Sequence, residues 1–138
     1  MRCLNNLRIS HRNRERMATE RGDRPWGHYL VLIEDAGYKV KQFVVHPGRR
    51  LSLQRHRRRA EHWQVVRGEA AVTVGSEVGN LVNVSLTPGS YIDIPLGAYH
   101  RVESVGIEDL VIIEVQMGDY VGEDDIERIE DDYGRAEQ

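Results

Sequence analysis

The amino-acid sequence predicts an all-β fold. Apolar and polar residues alternate with a period of two over most of the chain, which places successive side chains on opposite faces of a strand. Turn signals interrupt this alternation roughly every 8–12 residues, a spacing typical of β-sandwiches and barrels. No segment shows the 3.6-residue periodicity of a long helix.

Nine strands follow from this pattern. Short turn sequences rich in glycine and proline separate them, among them Asp35–Gly37, Pro47–Gly48, Pro88–Gly89 and Pro95–Gly97. The predicted strands are, in order, His28–Glu34, Tyr38–His46, Leu51–His56, Glu61–Arg67, Ala70–Val74, Leu81–Leu86, Ser90–Ile94, Tyr99–Ser104 and Leu110–Gln116.

Length and composition exclude several classes of protein. The chain has 138 residues, which predicts a single domain, and its net charge of -3 argues against general attraction to nucleic acid. The one cysteine, Cys3, can form neither a disulfide framework nor a cysteine-based zinc site. No apolar stretch approaches the ~20 residues of a membrane helix or resembles a secretory signal. We therefore expect a cytoplasmic protein that does not contact membranes.

The two ends differ from the middle of the chain in charge. Residues 1–23 are rich in arginine and poor in apolar residues, so we expect a disordered basic arm, with Met17 as an alternative translation start. Residues 24–118 are expected to form the β domain. Residues 119–138 are acidic, and we expect a solvated segment, with a short helical turn over Asp124–Ile129 as the alternative.

Two segments carry side chains of the types that bind metal ions. In the third predicted strand, alternation puts Gln54 and His56 on one face, and Glu61 begins the next strand. A tight turn later leads into the strand that carries His100. Imidazole nitrogen, carboxylate oxygen and amide oxygen suit divalent Zn, Mn, Co or Fe. The alternative, from these residues alone, is a pair of hydrogen-bonded structural histidines and a surface acid.

The spacing of these residues resembles the two motifs of the cupin superfamily. In those motifs glycines flank a ligand, a histidine and a glutamate, and a later Pro-x-Gly turn precedes a second histidine. The matching positions are Gly48, Gln54, His56, Glu61 and Gly68 in the first motif, and Gly89, Pro95, Gly97 and His100 in the second. Gln54 stands where cupins usually have histidine, and phosphomannose isomerases show this Gln-His-Glu-His set.

The sequence is most similar to the type II mannose-6-phosphate isomerase domain. That domain usually forms the C-terminal part of bifunctional mannose-1-phosphate guanylyltransferase/phosphomannose isomerase enzymes. The matching strings lie between Arg24 and Arg135 and are Arg24–Gly27, Gly37–Lys41, Leu51–Gln54, Arg59–Trp63, His100–Arg101 and Gly122–Ile126. Arg57 and Arg58 depart from the family, which usually has a run of three histidines here. Since the β domain and its ends occupy all 138 residues, we do not expect guanylyltransferase activity.

The resemblance implies a fold, a reaction and a metal ion. The fold would be a cupin, a double-stranded β-helix or jelly-roll barrel. The reaction would interconvert mannose 6-phosphate and fructose 6-phosphate through an enediolate, in the supply of GDP-mannose for polysaccharides. Gln54, His56, Glu61 and His100 would hold one divalent metal ion, with Zn the first candidate and Mn, Co, Fe or Mg the alternatives. The sequence does not identify the general base.

The resemblance also implies a phosphate-binding group and partners. A phosphate needs cations with several donors, and arginine supplies them in a planar fork. Arg101 is the first candidate because it follows His100, and Lys41 and Arg58 come next. The other arginines between positions 49 and 59 are expected to form a solvated basic rim. Small cupins commonly pair, so we expect a homodimer, and a separate guanylyltransferase is a candidate partner.

Two other functions stay open at this point. A metal-binding cupin that binds a sugar phosphate or nucleotide sugar without catalysis is consistent with the altered histidine run. Another cupin chemistry, such as that of an iron oxygenase, is disfavoured by Gln54 and by the family strings. Turnover restored by a metal ion distinguishes the isomerase from the binding protein.

Overall fold

The computed structural model describes residues 18–136 and shows eleven β-strands there. All nine predicted strands are confirmed, with bounds within two residues of those expected. In the described range no helix is long and apolar enough to cross a membrane. The strands are β1 (Glu20–Arg24), β2 (Gly27–Asp35), β3 (Tyr38–Val45), β4 (Leu53–Arg55), β5 (Arg59–Arg67), β6 (Ala70–Gly75), β7 (Val82–Leu86), β8 (Tyr91–Ile94), β9 (Tyr99–Ser104), β10 (Leu110–Gly118) and β11 (Glu127–Glu130).

The strands form two antiparallel sheets that pack face to face. The six-stranded sheet has the order β1-β2-β3-β10-β5-β8, and the five-stranded sheet has the order β11-β4-β9-β6-β7. Strand β10 therefore lies between β3 and β5, although it follows both in the chain by many residues. Its register sets Glu114 opposite Lys41 on one side and opposite Trp63 on the other. The fold is all-β, as the alternation predicts.

The space between the sheets is apolar at one end and polar at the other. Phe43 makes edge-to-face contacts with Trp26 and Trp63, at centroid distances of 6.2 and 5.6 Å, in the apolar part. Two residues away along β3 and β10, the inward positions change to Lys41 and Glu114, and both side chains are buried. The strand period is unchanged, so only the side-chain chemistry distinguishes the two ends.

Both ends of the described region differ from the sequence prediction. Residues Glu20–Arg24, most of which we assigned to a disordered arm, form β1 along the edge of β2. Residues Glu127–Glu130 form β11 on β4, so neither a solvated segment nor a helical turn describes them. An edge strand is held mainly by backbone hydrogen bonds, which leave no hydrophobic pattern in the sequence. Residues 1–17, including Met17, lie outside the described residues.

Gly68 makes the turn between β5 and β6 in a conformation that favours glycine. Its φ is +80°, in the left-handed region. A Cβ atom there would lie 2.6 Å from the carbonyl oxygen of Asp109 and 2.8 Å from Cα of Leu110. The glycine that closes the first motif is therefore required by the turn and by the close approach of a neighbouring segment.

We expect Gly68→Ala to destabilise the protein by roughly 1–3 kcal/mol because of the strained backbone, and by more if Asp109 cannot move. Urea unfolding measures the change. Gly79→Ala is the matched control, because a Cβ at Gly79 has no atom within 4 Å and the φ of Gly79 is not positive. Equal destabilisation by the two substitutions would contradict this explanation of the motif glycine.

Candidate metal centre and cavity

Three buried ligand side chains converge at the polar end of the core. His56 follows β4, Glu61 lies on β5 and His100 lies on β9. Nε2 of His56 is 3.1 Å from Oε1 of Glu61, and Nε2 of His100 is 3.5 Å from Oε2 of Glu61. Their ligand atoms all lie within 4.8 Å of one another, and none of the three residues is more than 2% exposed.

Backbone carbonyls determine which nitrogen of each imidazole carries the proton. Nδ1 of His56 donates to the carbonyl of Asp125 at 2.6 Å, and Nδ1 of His100 donates to the carbonyl of Ala98 at 2.9 Å. A carbonyl only accepts, so in the neutral rings both Nε2 atoms present lone pairs toward Glu61. Nε2 of His100 is buried and has no hydrogen-bond partner among residues 18–136. Two imidazole lone pairs facing a carboxylate fit a divalent metal ion.

Gln54 lies beside this cluster, directly opposite His100 across the β4–β9 pair. Its Nε2 is 3.5 Å from Nε2 of His56, and its Oε1 accepts a hydrogen bond from Oγ of Ser52 at 2.8 Å. A hydroxyl can both donate and accept, so the amide can turn over and keep its bond to Ser52. The amide oxygen then faces the imidazoles. The structure thus brings all four predicted metal ligands together.

The charges around the cluster keep its ligands in the forms that bind a metal ion. Burial opposes ionisation of Glu61, but His56, His100 and Arg59 outweigh it and hold the pKa of that carboxyl well below its usual range. Nε of Arg59 donates to Oε1 of Glu61 at 3.0 Å. Burial lowers the pKa of His100 to about 4 against the opposing charge of Glu61. At neutral pH Glu61 is therefore a carboxylate and His100 a neutral imidazole.

Glu114 is a second buried carboxylate that the sequence analysis missed. The indole N–H of Trp63 is shared between Oε2 of Glu61 at 3.0 Å and Oε2 of Glu114 at 2.9 Å. Burial and the nearby Glu61 raise the pKa of Glu114 to about 7, while Lys41 and Arg59 act in the opposite direction. Its position on the inward face, directly after the apolar inward residues Leu110 and Ile112, was the signal that could have found it.

A cavity of ≈ 90 Å³ opens beside the metal ligands. Gln54, His56 and Glu114 contribute to its wall, so a bound molecule would reach the cluster directly. Cationic side chains outnumber acidic ones on the rest of the wall, which makes the cavity suited to an anion. The charged lining residues besides Glu114 are Arg24, Lys41, Arg59, Arg128, Arg135 and Glu123.

Three of these arginines come together from distant parts of the chain. Arg24 ends β1, Arg128 lies on β11 and Arg135 lies beyond it. Burial and the positive charges of Arg135 and Arg24 lower the pKa of Arg128. Nε of Arg128 is buried and without a hydrogen-bond partner within the described part of the chain. A guanidinium crowded by like charges and left with a free donor is well placed to bind an anion.

The structure places Lys41, one of the three residues predicted to bind phosphate, on the cavity wall. Its Nζ donates to Oε1 of Glu123 and lies 4.2 Å from the ring centroid of Tyr29. The side chain is buried. Lys41 therefore faces the cavity and not the solvent.

Arg101 and Arg58, the other two residues predicted to bind phosphate, do not line that cavity. Arg101 points to the face of β9 opposite His100, where its Nε donates to the carbonyl of Leu51 at 3.0 Å. Arg58 is exposed and pairs with Asp119 at 3.2 Å. Arg101 directly follows the candidate ligand His100, but adjacent residues of a strand point to opposite faces of the sheet. Neighbouring positions in the sequence therefore do not place the two side chains in the same cavity.

Residues 119–135 fold back along the barrel, and we call them the C-terminal strap. Strap residues Glu123, Ile126, Arg128 and Arg135 line the cavity. Several arginines between positions 49 and 59, which we expected to form a solvated rim, pair with carboxylates of the strap. Arg59 differs from them, because it is buried and donates to Glu61. The ion pairs between barrel and strap are Arg50–Asp132 (2.6 Å), Arg55–Glu127 (2.8 Å), Arg57–Glu127 (3.0 Å), Arg58–Asp119 (3.2 Å) and Arg101–Glu130 (2.9 Å).

The sequence of this chain matches a family of known proteins over most of its length. Residues 11–131 match the family described as mannose-6-phosphate isomerase C-terminal. The chain belongs to this family. The resemblance read from the motifs is thereby confirmed, and the metal ligands and the cavity described above all lie within the matched residues, apart from Arg135.

Curated relatives of this mannose-6-phosphate isomerase C-terminal domain are much longer proteins. The xanthan biosynthesis protein XanB of Xanthomonas campestris is 50% identical over 113 residues, which are 82% of this chain and 23% of XanB. The alginate biosynthesis protein AlgA of Pseudomonas aeruginosa is 48% identical over 82% of this chain and 22% of AlgA. The mannose-1-phosphate guanylyltransferase ManC of Salmonella typhimurium is 47% identical over the same shares. The chain thus spans less than a quarter of these relatives.

Solved structures with the same fold have little sequence in common with the chain. The capsular polysaccharide assembling protein CapF of Staphylococcus aureus superposes with a TM-score of 0.70 at 21% identity, over 80% of this chain and 34% of CapF. Oxalate decarboxylase of Bacillus subtilis gives 0.70 at 21% identity, over 80% of this chain and 29% of that enzyme. The fold is that of a cupin, as predicted.

If the cluster holds a divalent metal ion, that ion should stabilise the folded protein. At a free metal concentration about a hundredfold above Kd we expect roughly 2.7 kcal/mol of stabilisation, which chelation removes. Thermal unfolding of chelator-treated protein, with Zn, Mn or Co restored singly, measures it. His100→Gln should lose the effect, and His46→Gln should keep it because His46 is exposed and bonded to Asp109. The assignment fails if metal ions stabilise both variants equally.

Proposed function

We propose that this chain is a metal-dependent isomerase that interconverts mannose 6-phosphate and fructose 6-phosphate. The observation that carries the proposal is a single cavity whose wall contains Gln54 and His56 of the candidate metal cluster together with a cluster of three arginines. A sugar phosphate needs both features, one at the reacting carbonyl and one at the phosphate. Membership in the mannose-6-phosphate isomerase C-terminal family supports this substrate class.

In this proposal Gln54, His56, Glu61 and His100 hold one divalent metal ion. When bound, the ion supplies the positive charge that polarises the sugar carbonyl. Carbonyl groups of Asp125 and Ala98 hold the two imidazoles in the orientation needed before any metal arrives. Preorganised ligands of this kind do not have to rearrange during the reaction.

The phosphate binds to Arg24, Arg128 and Arg135 rather than to Arg101. Arg128 is the central member, since its buried Nε has no partner among residues 18–136. The carboxylate of Asp131 orients Arg135 through two hydrogen bonds of 2.9 Å, and Tyr29 accepts one of 3.4 Å from Arg24. Guanidinium groups with fixed planes can bind phosphate oxygens through paired donors.

Glu114 is the group that moves the proton between C1 and C2 of the sugar. An aldose–ketose isomerisation needs a base within hydrogen-bond reach of the substrate. Glu114 lies on the cavity wall and is not one of the four metal ligands. Trp63 and Gln116 donate to its two oxygens at 2.9 and 2.6 Å, which fixes the carboxyl group in one orientation.

A coupled assay for fructose 6-phosphate formation tests the isomerase. The protein is treated with chelator, and Zn, Mn, Co and Mg are restored singly. Turnover that depends on the metal ion supports the proposal and identifies the ion. If folded protein shows no turnover with any ion, the isomerase is excluded, and binding of mannose 6-phosphate or a nucleotide sugar would then be measured by calorimetry.

We expect Arg128→Gln to raise the KM for mannose 6-phosphate about 10- to 100-fold, because it removes a charged hydrogen-bond donor from the phosphate. Steady-state kinetics of the metal-loaded protein measures the change. Arg58→Gln is the control, since Arg58 lies outside the cavity, and its KM should match that of the unmodified protein. A raised KM in both variants would show that general positive charge, not this cluster, attracts the substrate.

We expect Glu114→Gln to lower kcat by about 10²- to 10⁴-fold, because the amide cannot accept the substrate proton. The KM and the metal affinity should change little, as the amide is almost the same size. Glu69→Gln provides the control, because Glu69 is exposed and does not line the cavity. A Glu114→Gln protein with unreduced kcat would refute the assignment of the base.

A further inference from the structure

Among the four candidate metal ligands, His56 is the one that lies outside a strand. Strand β4 ends at Arg55 and β5 begins at Arg59, so His56 belongs to the connecting loop of residues 56–58. Gln54, Glu61 and His100 are all held by sheet hydrogen bonds on their own strands. The orientation of His56 therefore depends on whatever fixes this loop.

Asp125 of the C-terminal strap makes three hydrogen bonds to that loop. Its Oδ1 accepts the backbone N–H of Arg57 at 3.0 Å, and its Oδ2 accepts the backbone N–H of Arg58 at 3.0 Å. Its own backbone carbonyl accepts Nδ1–H of His56 at 2.6 Å. One residue of the strap thus accepts hydrogen bonds from two backbone N–H groups of the loop and from the outer nitrogen of His56.

The three bonds form one rigid arrangement. The carboxylate holds the backbone of Arg57 and Arg58 at a set position relative to Asp125. Because the carbonyl that accepts the hydrogen bond of Nδ1–H belongs to the same residue, the loop backbone and the imidazole ring of His56 are positioned together. In that orientation Nε2 of His56 is directed at Glu61.

We propose that Asp125 is the positioning residue of the metal centre. Its carboxylate fixes the 56–58 loop so that its carbonyl holds His56 in the Nδ1–H tautomer, with the lone pair of Nε2 directed into the cluster, where Nη2 of Arg59 lies 3.3 Å away. This inference rests on the metal site of the proposed function. Partners that orient a histidine ligand typically change metal affinity 10- to 100-fold when they are removed.

The competing explanation is that Asp125 only attaches the strap to the barrel. Asp132 supplies a matched comparison, because its carboxylate also joins strap to barrel through a 2.6 Å ion pair with Arg50. No hydrogen bond of Asp132 reaches His56 or residues 57–58 in the described structure. Loss of attachment alone would therefore affect the metal centre equally in Asp125 and Asp132 variants.

The first test uses the metal-free protein and does not depend on catalysis. Long-range ¹H–¹⁵N correlation spectra report the tautomer of each imidazole, and His56→Gln identifies the signals of His56. We expect the Nδ1–H form in the unmodified protein and in Asp132→Asn, and a mixture with the Nε2–H form in Asp125→Ala. An unchanged tautomer in Asp125→Ala overturns the proposal.

The second test measures metal affinity by competition with a chromogenic chelator. Asp125→Ala should bind the metal ion about 10- to 100-fold more weakly, and Asp125→Asn should fall between, because its amide oxygen can accept one of the two loop N–H groups. Asp132→Asn should stay within about twofold. Equal losses in Asp132→Asn and Asp125→Ala would reduce Asp125 to an attachment point and overturn the proposal.

The two tests separate this inference from the proposed function. If the unmodified protein binds no divalent ion, the proposed function fails, and the tautomer measurement still decides whether Asp125 orients His56. If Asp125→Ala does not fold, Asp125→Asn takes its place in both measurements. Asp124→Asn is a further control next in the chain, since the exposed Asp124 carboxylate accepts from Tyr120 and has no described hydrogen bond to His56 or to residues 57–58.

Discussion

The ionised carboxylate of Glu61 is the constraint on which the polar end of this barrel depends. A buried charge without partners costs several kcal/mol, so the neighbouring side chains must supply hydrogen bonds and opposite charge. Arg59 gives a permanent cation that donates to Oε1 of Glu61, and the indole N–H of Trp63 donates to its Oε2. The apolar contacts around Phe43 and Trp63 stabilise the rest of the core, which allows inward strand positions at this end to be polar.

A second set of charges, on the barrel surface, holds the C-terminal strap against the barrel. The basic run between positions 49 and 59 and the acidic strap neutralise each other across the surface of the barrel. Surface ion pairs contribute little singly, but here they act together with the edge pairing of β11 on β4. Their joint effect is to bring Arg128 and Arg135 to the cavity, where the barrel itself offers mainly Arg24, Lys41 and Arg59 as cations.

Local patterns in the sequence predicted the strands and brought out the candidate metal ligands, but they gave no sign of ion pairs between distant parts of the chain. Alternation identified strands such as β5 and β10 because one face of each is buried, and fixed spacing placed Gln54, His56, Glu61 and His100 together. The partnership of Arg101 with Glu130 spans 29 residues and has no periodic signature. Arg128 and Arg135 were overlooked for the same reason, since an acidic segment without apolar alternation looks solvated whether or not its charges have partners.

The bond between His56 and the carbonyl of Asp125 joins residues 69 positions apart. During synthesis the four candidate metal ligands therefore leave the ribosome before Asp125, the partner of His56. Closing so long a loop is entropically costly and slow compared with forming hairpins. The hydrogen bond that orients His56 can therefore form only after nearly the whole domain has been synthesised, whereas the hairpins of the barrel can form earlier.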